Sequence, residues 1–220
     1  MPSDEIESLK EGGWREVAAI NAALERGEID EAGWHRAMSD LVVPAYLSTG
    51  DPRRQSGHSG DETRWEQARR HIVDAIDRDG TFLDVGCANG YLMESVVRWS
   101  PFRVEPYGLE ISPELAELAR RRLPRWADRI FVGNALTWEA PRRFDFVRTG
   151  LDYVPRPRRP ELVERLLGFC SRLIVGSYNE EVEEAALERE VESWGFRIAG
   201  RSEVRHSDPR IARRVFWLDR

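Results

Sequence analysis

Two glycines four residues apart stand in the stretch FLDVGCANGY (82–91), after a short apolar run that carries a single acid, Asp84. Only Cys87, Ala88 and Asn89 lie between Gly86 and Gly90. A glycine has no Cβ, so its backbone can lie against a ligand, and a helix opening after the turn would aim its first N–H groups there. Tight packing of a strand on a helix asks for the same small residues, so the turn alone leaves both readings open. Glu110 adds to it. This residue closes PYGLE, 20 positions beyond Gly90, at the tip of what reads as the next strand. A carboxylate there can accept two hydrogen bonds from the vicinal hydroxyls of a ribose. Turn and acid together read as a nucleoside site.

The type of nucleoside follows from charge. A nicotinamide-binding turn carries GxGxxG with its third glycine inside the helix. Here that third position is Met93 and the middle one is Ala88. Asp84, just before the turn, would repel a pyrophosphate and attract a cationic amino-acid group. The electrostatics favour S-adenosylmethionine, which has an ammonium, a sulfonium and no phosphate.

Such a turn needs a strand before it and a helix after it. From residue 81 short β-rich runs alternate with amphipathic helices: TFLDVGC and GYLMESVVRW, PYGLEI and SPELAELARRRL, RIFVGNAL, FDFVRTG and PELVERLLGFC, SRLIVGSY and EEVEEAALEREVESW. This alternation predicts a parallel sheet with crossover helices on both faces. FRIAGRSEV and ARRVFWLD break the rhythm, since only a loop around Asp208 and Pro209 joins them; they read as an antiparallel pair after five parallel strands. Toward the N-terminus, Ile29, Trp34, Ala37, Met38, Leu41 and Val42 keep helical spacing, with Asp30 as cap and Pro44 as the end. AYLSTGDPRRQSGHSGDE reads as a loop. A further helix places Trp65, Ala68, Ile72 and Ile76 on one face, with Ser59 and Glu62 as its capping box.

LDVGCANGY resembles the first motif of the class I S-adenosylmethionine-dependent methyltransferases, and the motifs after it follow the same succession over roughly residues 60–220. The resemblance implies an α/β fold: a doubly wound, Rossmann-like, seven-stranded sheet of order 3-2-1-4-5-7-6 with the last strand antiparallel. It also implies a helical cap and lid segment over 1–60 and the methyltransferase domain over 61–220. Asp84, Gly86, Cys87, Ala88, Asn89 and Gly90 would then surround the methionine part and the ribose of the donor. Glu110 would hold the ribose hydroxyls, with Ile111 against the adenine. Asn134 and Ala135, in VGNALTW, would face the adenine ring and its amino group. Many members carry Asp at the Asn134 position, and an Asn oxygen can still accept from the exocyclic amine. Arg148, Thr149 and Gly150 would lie beside the methyl-donor end. The activity implied is methylation of an oxygen or nitrogen on a small-molecule acceptor, leaving S-adenosylhomocysteine.

Members that methylate amino groups of DNA and some proteins carry an Asn/Asp-Pro-Pro-aromatic motif after the fourth strand. Thr149-Gly150-Leu151-Asp152-Tyr153 stands there instead, which argues against attack by an exocyclic base nitrogen. Asp152 and Tyr153 either orient or deprotonate an acceptor hydroxyl, or cap the next helix and line the wall. His58, between glycines in QSGHSGDETRW, is a candidate general base near neutral pH. Tyr46 and Trp65 pack on cofactor or substrate, or belong to a core. His71 and His206 read as structural or surface residues and His35 as polar-face; no two histidines share a ligand spacing, so no metal is predicted. Cys87 is either a thiol acidified by a helix N-terminus or a small packing residue.

Composition narrows the partners. A net charge of -6 argues against general nucleic-acid binding. Yet Arg142, Arg143, Arg148, Arg156, Arg158 and Arg159 crowd one stretch, and NEEVEEAALEREVE (179–192) reads as a solvated acidic face. The arginines form ordinary surface, or they favour an anionic acceptor or RNA. An RNA methyltransferase using this stretch, and a non-catalytic cofactor-binding module, are the alternatives to a small-molecule enzyme. No apolar run approaches the roughly 20 residues that span a bilayer, so no membrane partner is expected. MPSDEIESLKEGGW lacks a secretory h-region, and two cysteines make no disulfide framework; the chain reads as cytoplasmic.

Overall fold

In the computed structural model, which describes residues 15–176, 184–205 and 212–220, the chain parts into two compact units between Thr49 and Gly50. The smaller unit holds α1 (15–25) and α2 (Glu31–Leu47). Asp30 caps α2 as its sequence position predicts, its side chain accepting from Gly33 N–H at 2.7 Å. Trp34 Nε1 donates to Asn21 Oδ1 at 2.8 Å and ties the two helices. Pro44 does not end α2, which runs on to Leu47. Proline removes its own donor and crowds the carbonyl four residues back, but it leaves the acceptors of the following turn intact. Its own carbonyl still accepts from Ser48 N–H at 3.0 Å, so the last turn closes around it.

The larger unit is built on seven strands: β1 (Gly80–Val85), β2 (Val104–Glu110), β3 (Ile130–Val132), β4 (Phe144–Thr149), β5 (Cys170–Gly176), β6 (Gly200–Arg205) and β7 (Ala212–Asp219). They line up as β3-β2-β1-β4-β5-β7-β6. The first five run parallel and β7 pairs antiparallel with β6, as the strand pattern predicts; β7 also pairs antiparallel with β5, as the resemblance implies. Asp208, Pro209 and His206 lie outside the described residues. Parallel strands sheathed by helices must be apolar on both faces. β1 meets this with Leu83 and Val85 toward α6 (Arg159–Gly168) and α7 (Glu184–Ser193), and Phe82 toward α3 (Glu62–Arg69) and α4 (Tyr91–Trp99). Asp84 is the polar interruption of that pattern.

The helix that carries Trp65 starts differently from the expected capping box. Asp61 is its cap, accepting from Arg64 N–H at 2.9 Å. Glu62 instead takes the Tyr91 hydroxyl at 2.5 Å and Arg98 at 2.6 Å, so it is drawn onto α4 and away from Ser59. The α-helix gives way to a 3-10 turn over Arg70–Ala75, and Trp65, Ala68, Ile72 and Ile76 are all buried. Helix α5 (Pro113–Arg122) returns from β2 and is capped by Ser112. No helix among the described residues is long and apolar enough to cross a membrane.

Candidate functional site

The turn Gly86–Gly90 sits at the carboxyl end of the central strand β1, where the strand order reverses between β2 and β4. In open α/β sheets this switch point is where ligands bind. Gly86 (φ 74°), Ala88 (φ 48°) and Gly90 (φ 73°) all adopt left-handed backbone. The turn closes on protein acceptors: Gly86 and Cys87 N–H donate to Leu109 C=O at 2.8 and 3.2 Å, and Gly90 N–H to Cys87 C=O at 2.8 Å. Ala88 N–H donates to Glu110 Oε2 at 2.7 Å and Tyr91 N–H to Asn89 Oδ1 at 3.0 Å. With these donors spent, the turn does not present the row of free N–H groups that cradles a phosphate. This differs from the expectation that its amides would face a ligand.

The glycines are bare for reasons now visible. A Cβ on Gly86 would stand 2.6 Å from Tyr153 Cε2, and one on Gly90 would stand 2.5 Å from Leu123 Cδ1. Cys87 is a packing residue, because a Cβ on Gly108 of β2 would meet its Sγ at 2.6 Å. Burial pushes its thiol well above the usual range, and the carboxylates of Glu110 and Asp84 add to the rise. The helix N-terminus does not acidify it.

Asn89 is fully buried and every polar atom of its side chain is engaged. Nδ2 donates to Pro52 C=O at 2.9 Å and Gln55 Oε1 at 3.1 Å, while Oδ1 accepts from Ser56 Oγ at 2.6 Å and Tyr91 N–H at 3.0 Å. Arg122 Nε donates to its carbonyl at 3.0 Å. Asn89 thereby straps the loop that precedes α3 onto the glycine turn. Pro52, Gln55, Ser56 and Arg122 were not foreseen here, because partners 33 to 37 positions away leave no local pattern.

Two buried acids flank the turn. Asp84 and Arg148 are partners in the register of β1 and β4, are 1% and 3% exposed at their side chains, and meet at 3.2 Å through Oδ1 and Nη1. Asp84 Oδ2 is buried with no hydrogen-bond partner. Burial pushes this carboxyl up, opposed by the guanidinium of Arg148 and more weakly by Arg69. Glu110 accepts Ala88 N–H on one oxygen and Ser112 N–H on the other, at 2.7 and 3.0 Å. Its carboxyl is likewise raised by burial, against the pull of those bonds. A carboxylate oxygen accepts twice, so both Glu110 oxygens keep capacity for a further donor. Beside it two apolar side chains face solvent: Ile111 and Val132, at the ends of β2 and β3. Asn134 uses Oδ1 to accept from Leu136 N–H at 2.9 Å, and Ala135 follows it in the same turn, half-buried.

At the end of β4, Thr149 is buried and donates to Gly150 C=O at 3.1 Å. Tyr153, half-exposed, lays its ring against Gly86 and Gly150; its hydroxyl accepts from Arg148 Nη1 at 2.9 Å. Asp152 beside it is exposed and contributes to the field felt by Arg159. The other expected residues have these surroundings. Trp65 is core, 1% exposed, with Nε1 donating to Ser95 Oγ at 3.0 Å. His58 stands edge-on to Trp65 with ring centres 5.5 Å apart. Tyr46 belongs to the last turn of α2 in the smaller unit. Each arginine of the 142–159 stretch engages partners within the protein. Arg142 donates to the Tyr107 hydroxyl, Arg143 to the carbonyls of Gly168 and Cys170, and Arg158 pairs with Glu161. Arg156 and Arg159 pair with Glu190 of the acidic helix.

Comparison with known proteins gives the same architecture. Residues 82–171 match the family described as "Methyltransferase domain". Among solved structures, the N-methyltransferase NodS from Bradyrhizobium japonicum WM9, in complex with S-adenosyl-L-homocysteine, superposes with a TM-score of 0.61 at 13% identity, over 82% of this chain and 96% of that one. The 1,6-didemethyltoxoflavin-N1-methyltransferase of Burkholderia thailandensis, with bound 1,6-didemethyltoxoflavin and S-adenosylhomocysteine, gives 0.61 at 14% identity over 87% and 91%. A candidate RNA methyltransferase from Pyrococcus horikoshii gives 0.53 at 11% over 81% and 98%. Identities this low establish the fold and leave the acceptor open. No curated protein sequence matches the chain.

Proposed function

We propose that this chain, whose sheet domain belongs to the class I S-adenosylmethionine-dependent methyltransferases, methylates an oxygen or nitrogen of a small-molecule acceptor. The observation that carries the donor assignment is the chemistry of the turn. The amides of Gly86, Cys87, Ala88 and Gly90 donate to protein acceptors, while Asp84 Oδ2 is a buried acceptor with no partner. A surface that offers acceptors and withholds donors suits an ammonium group and rejects a pyrophosphate. The other parts of the donor fit as well. Glu110 has two oxygens with remaining acceptor capacity for ribose hydroxyls, and Ile111 with Val132 provides an apolar edge for an adenine. Asn134 and Ala135 would line its far side. In this chain Asn134 Oδ1 already holds Leu136 N–H, so adenine contacts there rest on a shared oxygen.

When bound, S-adenosylmethionine supplies a methyl group already activated on a sulfonium. What the chain must add is placement and exclusion of water. Gly86 and Gly150 let Tyr153 lie close to the turn, Asn89 holds the preceding loop beside it, and Thr149 closes the strand end. Asp152 and Tyr153 stand where an acceptor would meet the strand end. A small acceptor is favoured over RNA because the arginines of 142–159 are each committed to a carboxylate, carbonyl or hydroxyl of the protein. A cluster bound in this way makes a poor phosphate footprint.

The test supplies donor labelled in its methyl group, with either a low-molecular-weight extract or total RNA as acceptor. Label entering the small-molecule fraction is expected; label entering RNA alone would reverse the choice of acceptor. Glu110→Ala is expected to weaken donor binding about tenfold or more, through loss of charge-assisted hydrogen bonds.

A further inference from the structure

Helix α5 grips the glycine turn at one end and Glu110 at the other. Its cap, Ser112, donates its N–H to Glu110 Oε1 at 3.0 Å. Its last residue, Arg122, donates through Nε to Asn89 C=O at 3.0 Å and through Nη1 to Glu94 Oε2 at 2.9 Å. The guanidinium lies over the Tyr91 ring, 5.1 Å from its centroid. Leu123, next in chain, fills the space against Gly90 that a Cβ would need. The Asn89 carbonyl stands outside the backbone ladder of α4, whose first bond runs from Glu94 N–H to Gly90 C=O at 3.2 Å. Gly90 N–H, on the other side of the same peptide, donates to Cys87 C=O at 2.8 Å. The Asn89–Gly90 peptide is thus held at both its polar groups, and one of the two holds is the Arg122 side chain. That side chain is 18% exposed, and its Nη2 is buried with no hydrogen-bond partner. An unmet guanidinium donor is a cost that an ion pair with Glu94 alone does not require. The planar fork that leaves Nη2 unmet is also what lets Nε and Nη1 serve a carbonyl and a carboxylate together.

We infer that Arg122 is a positioning residue for the methyl donor, acting through the Asn89–Gly90 peptide. This rests on the methyltransferase reading above and extends that site to the end of α5. Ala88 and Gly90 are left-handed on either side of Asn89, at φ 48° and 73°. Ala88 holds such backbone only because its surroundings enforce it. Without Arg122 the Asn89–Gly90 peptide keeps one hold of two, and the turn spreads over more conformations. A ligand must then order the turn as it binds, which lowers its affinity. The guanidinium charge is matched by Glu94 at 2.9 Å, so a cationic donor feels Arg122 through the shape of the backbone and not through repulsion. Glu94 itself bonds only the fork's other arm, so the ion pair and the hold on the turn are separable. Because Ser112 at the start of the same helix bonds Glu110, α5 also fixes the spacing between that carboxylate and the turn.

The experiment measures S-adenosylhomocysteine affinity by calorimetry on the full chain and three variants, with urea denaturation and amide exchange alongside. Arg122→Met removes both arms of the fork and should weaken binding about tenfold, as for loss of a hydrogen bond from a charged group. Glu94→Gln removes the ion pair and leaves the bond to Asn89; its affinity should stay within about twofold, whatever its urea midpoint does. Arg122→Lys keeps the charge beside Glu94 without the planar fork, and guards against a Met variant that does not fold. It should unfold close to the unmodified protein and still bind about fivefold more weakly. In the Lys variant the Gly90 amide should exchange faster, while amides of β4 and β5 should not. Unchanged affinity in the folded Arg122 variants, or full affinity in Arg122→Lys, would overturn the inference. So would an equal loss in Glu94→Gln, since the ion pair would then carry the effect. Failure of the unmodified protein to bind S-adenosylhomocysteine would bring down the methyltransferase reading and this role together, whereas normal binding with indifferent variants removes only the role of Arg122.

Discussion

Replacing Arg148 by Met tests whether the Asp84–Arg148 pair is the electrostatic keystone of the strand ends. Both side chains are almost wholly buried, at 1% and 3% exposure, and they meet at one 3.2 Å contact. In Arg148→Met the carboxylate keeps only the weaker field of Arg69. Breaking a buried pair from one side costs about 3–5 kcal/mol. For a domain of this size that corresponds to a fall in Tm of about 6–20 °C, at roughly 2–4 °C per kcal/mol. The penalty should depend on pH, with a definite sign. Asp84 is raised in the folded state, so the folded protein binds its proton more tightly than the unfolded chain does. Stability from this group is present below the unfolded pKa and lost as pH rises through the folded one. Removing Arg148, which lowers that pKa, extends the loss to higher pH. Arg148→Met should therefore be closer to the unmodified protein at pH 5 than at pH 8. Asp84→Leu/Arg148→Met should recover most of the loss, since an apolar pair needs no desolvation. The assay is urea denaturation at both pH values across the four proteins of the cycle. A single-variant cost under about 1 kcal/mol, or a double variant no more stable than the single, would refute the reasoning.

Other consequences are as direct. Asn89→Ala removes the strap to Pro52, Gln55 and Ser56; amide exchange over 52–58 should accelerate, while exchange in β4 and β5 should not. Gly90→Ala combines left-handed backbone with a contact at 2.5 Å to Leu123 Cδ1, and should cost at least about 1–2 kcal/mol by chemical denaturation. Both thiols are buried, Cys87 raised well above its usual range and Cys170 to about 12. Neither should react with iodoacetamide at pH 8 until the protein unfolds, and labelling of Cys87 in the folded state would contradict its packing role.

Much of the architecture was legible because parallel strands and their crossover helices write different periods into the chain. Five parallel strands and a terminal antiparallel pair follow from that alternation and from the short spacing between the last two runs, whereas the order of the seven strands came from the family resemblance. The turn was equally visible, because Gly86 and Gly90 need left-handed backbone that few residues adopt. What stayed hidden depends on contacts between distant positions. Asp84 read as an isolated charge, since its pairing with Arg148 requires the register of β1 on β4. Asn89 read as a ligand contact, whereas its partners come from a loop more than thirty residues earlier. Local rules also lost to tertiary ones. Glu62 left the expected capping box because Tyr91 and Arg98 of α4 compete for it, and α2 ran past Pro44, whose carbonyl still closes the last turn on Ser48. The openness of the glycine turn was read as room for a ligand; part of that room is taken by the ring of Tyr153.

The central claim is that the turn receives an amino-acid-bearing adenosine and not a dinucleotide. Calorimetric titration of the full chain with S-adenosylmethionine, S-adenosylhomocysteine and NAD tests it most directly. Saturable binding of the first two, lost or weakened about tenfold or more in Glu110→Ala, is the result expected. Binding of NAD without either of the others would contradict it.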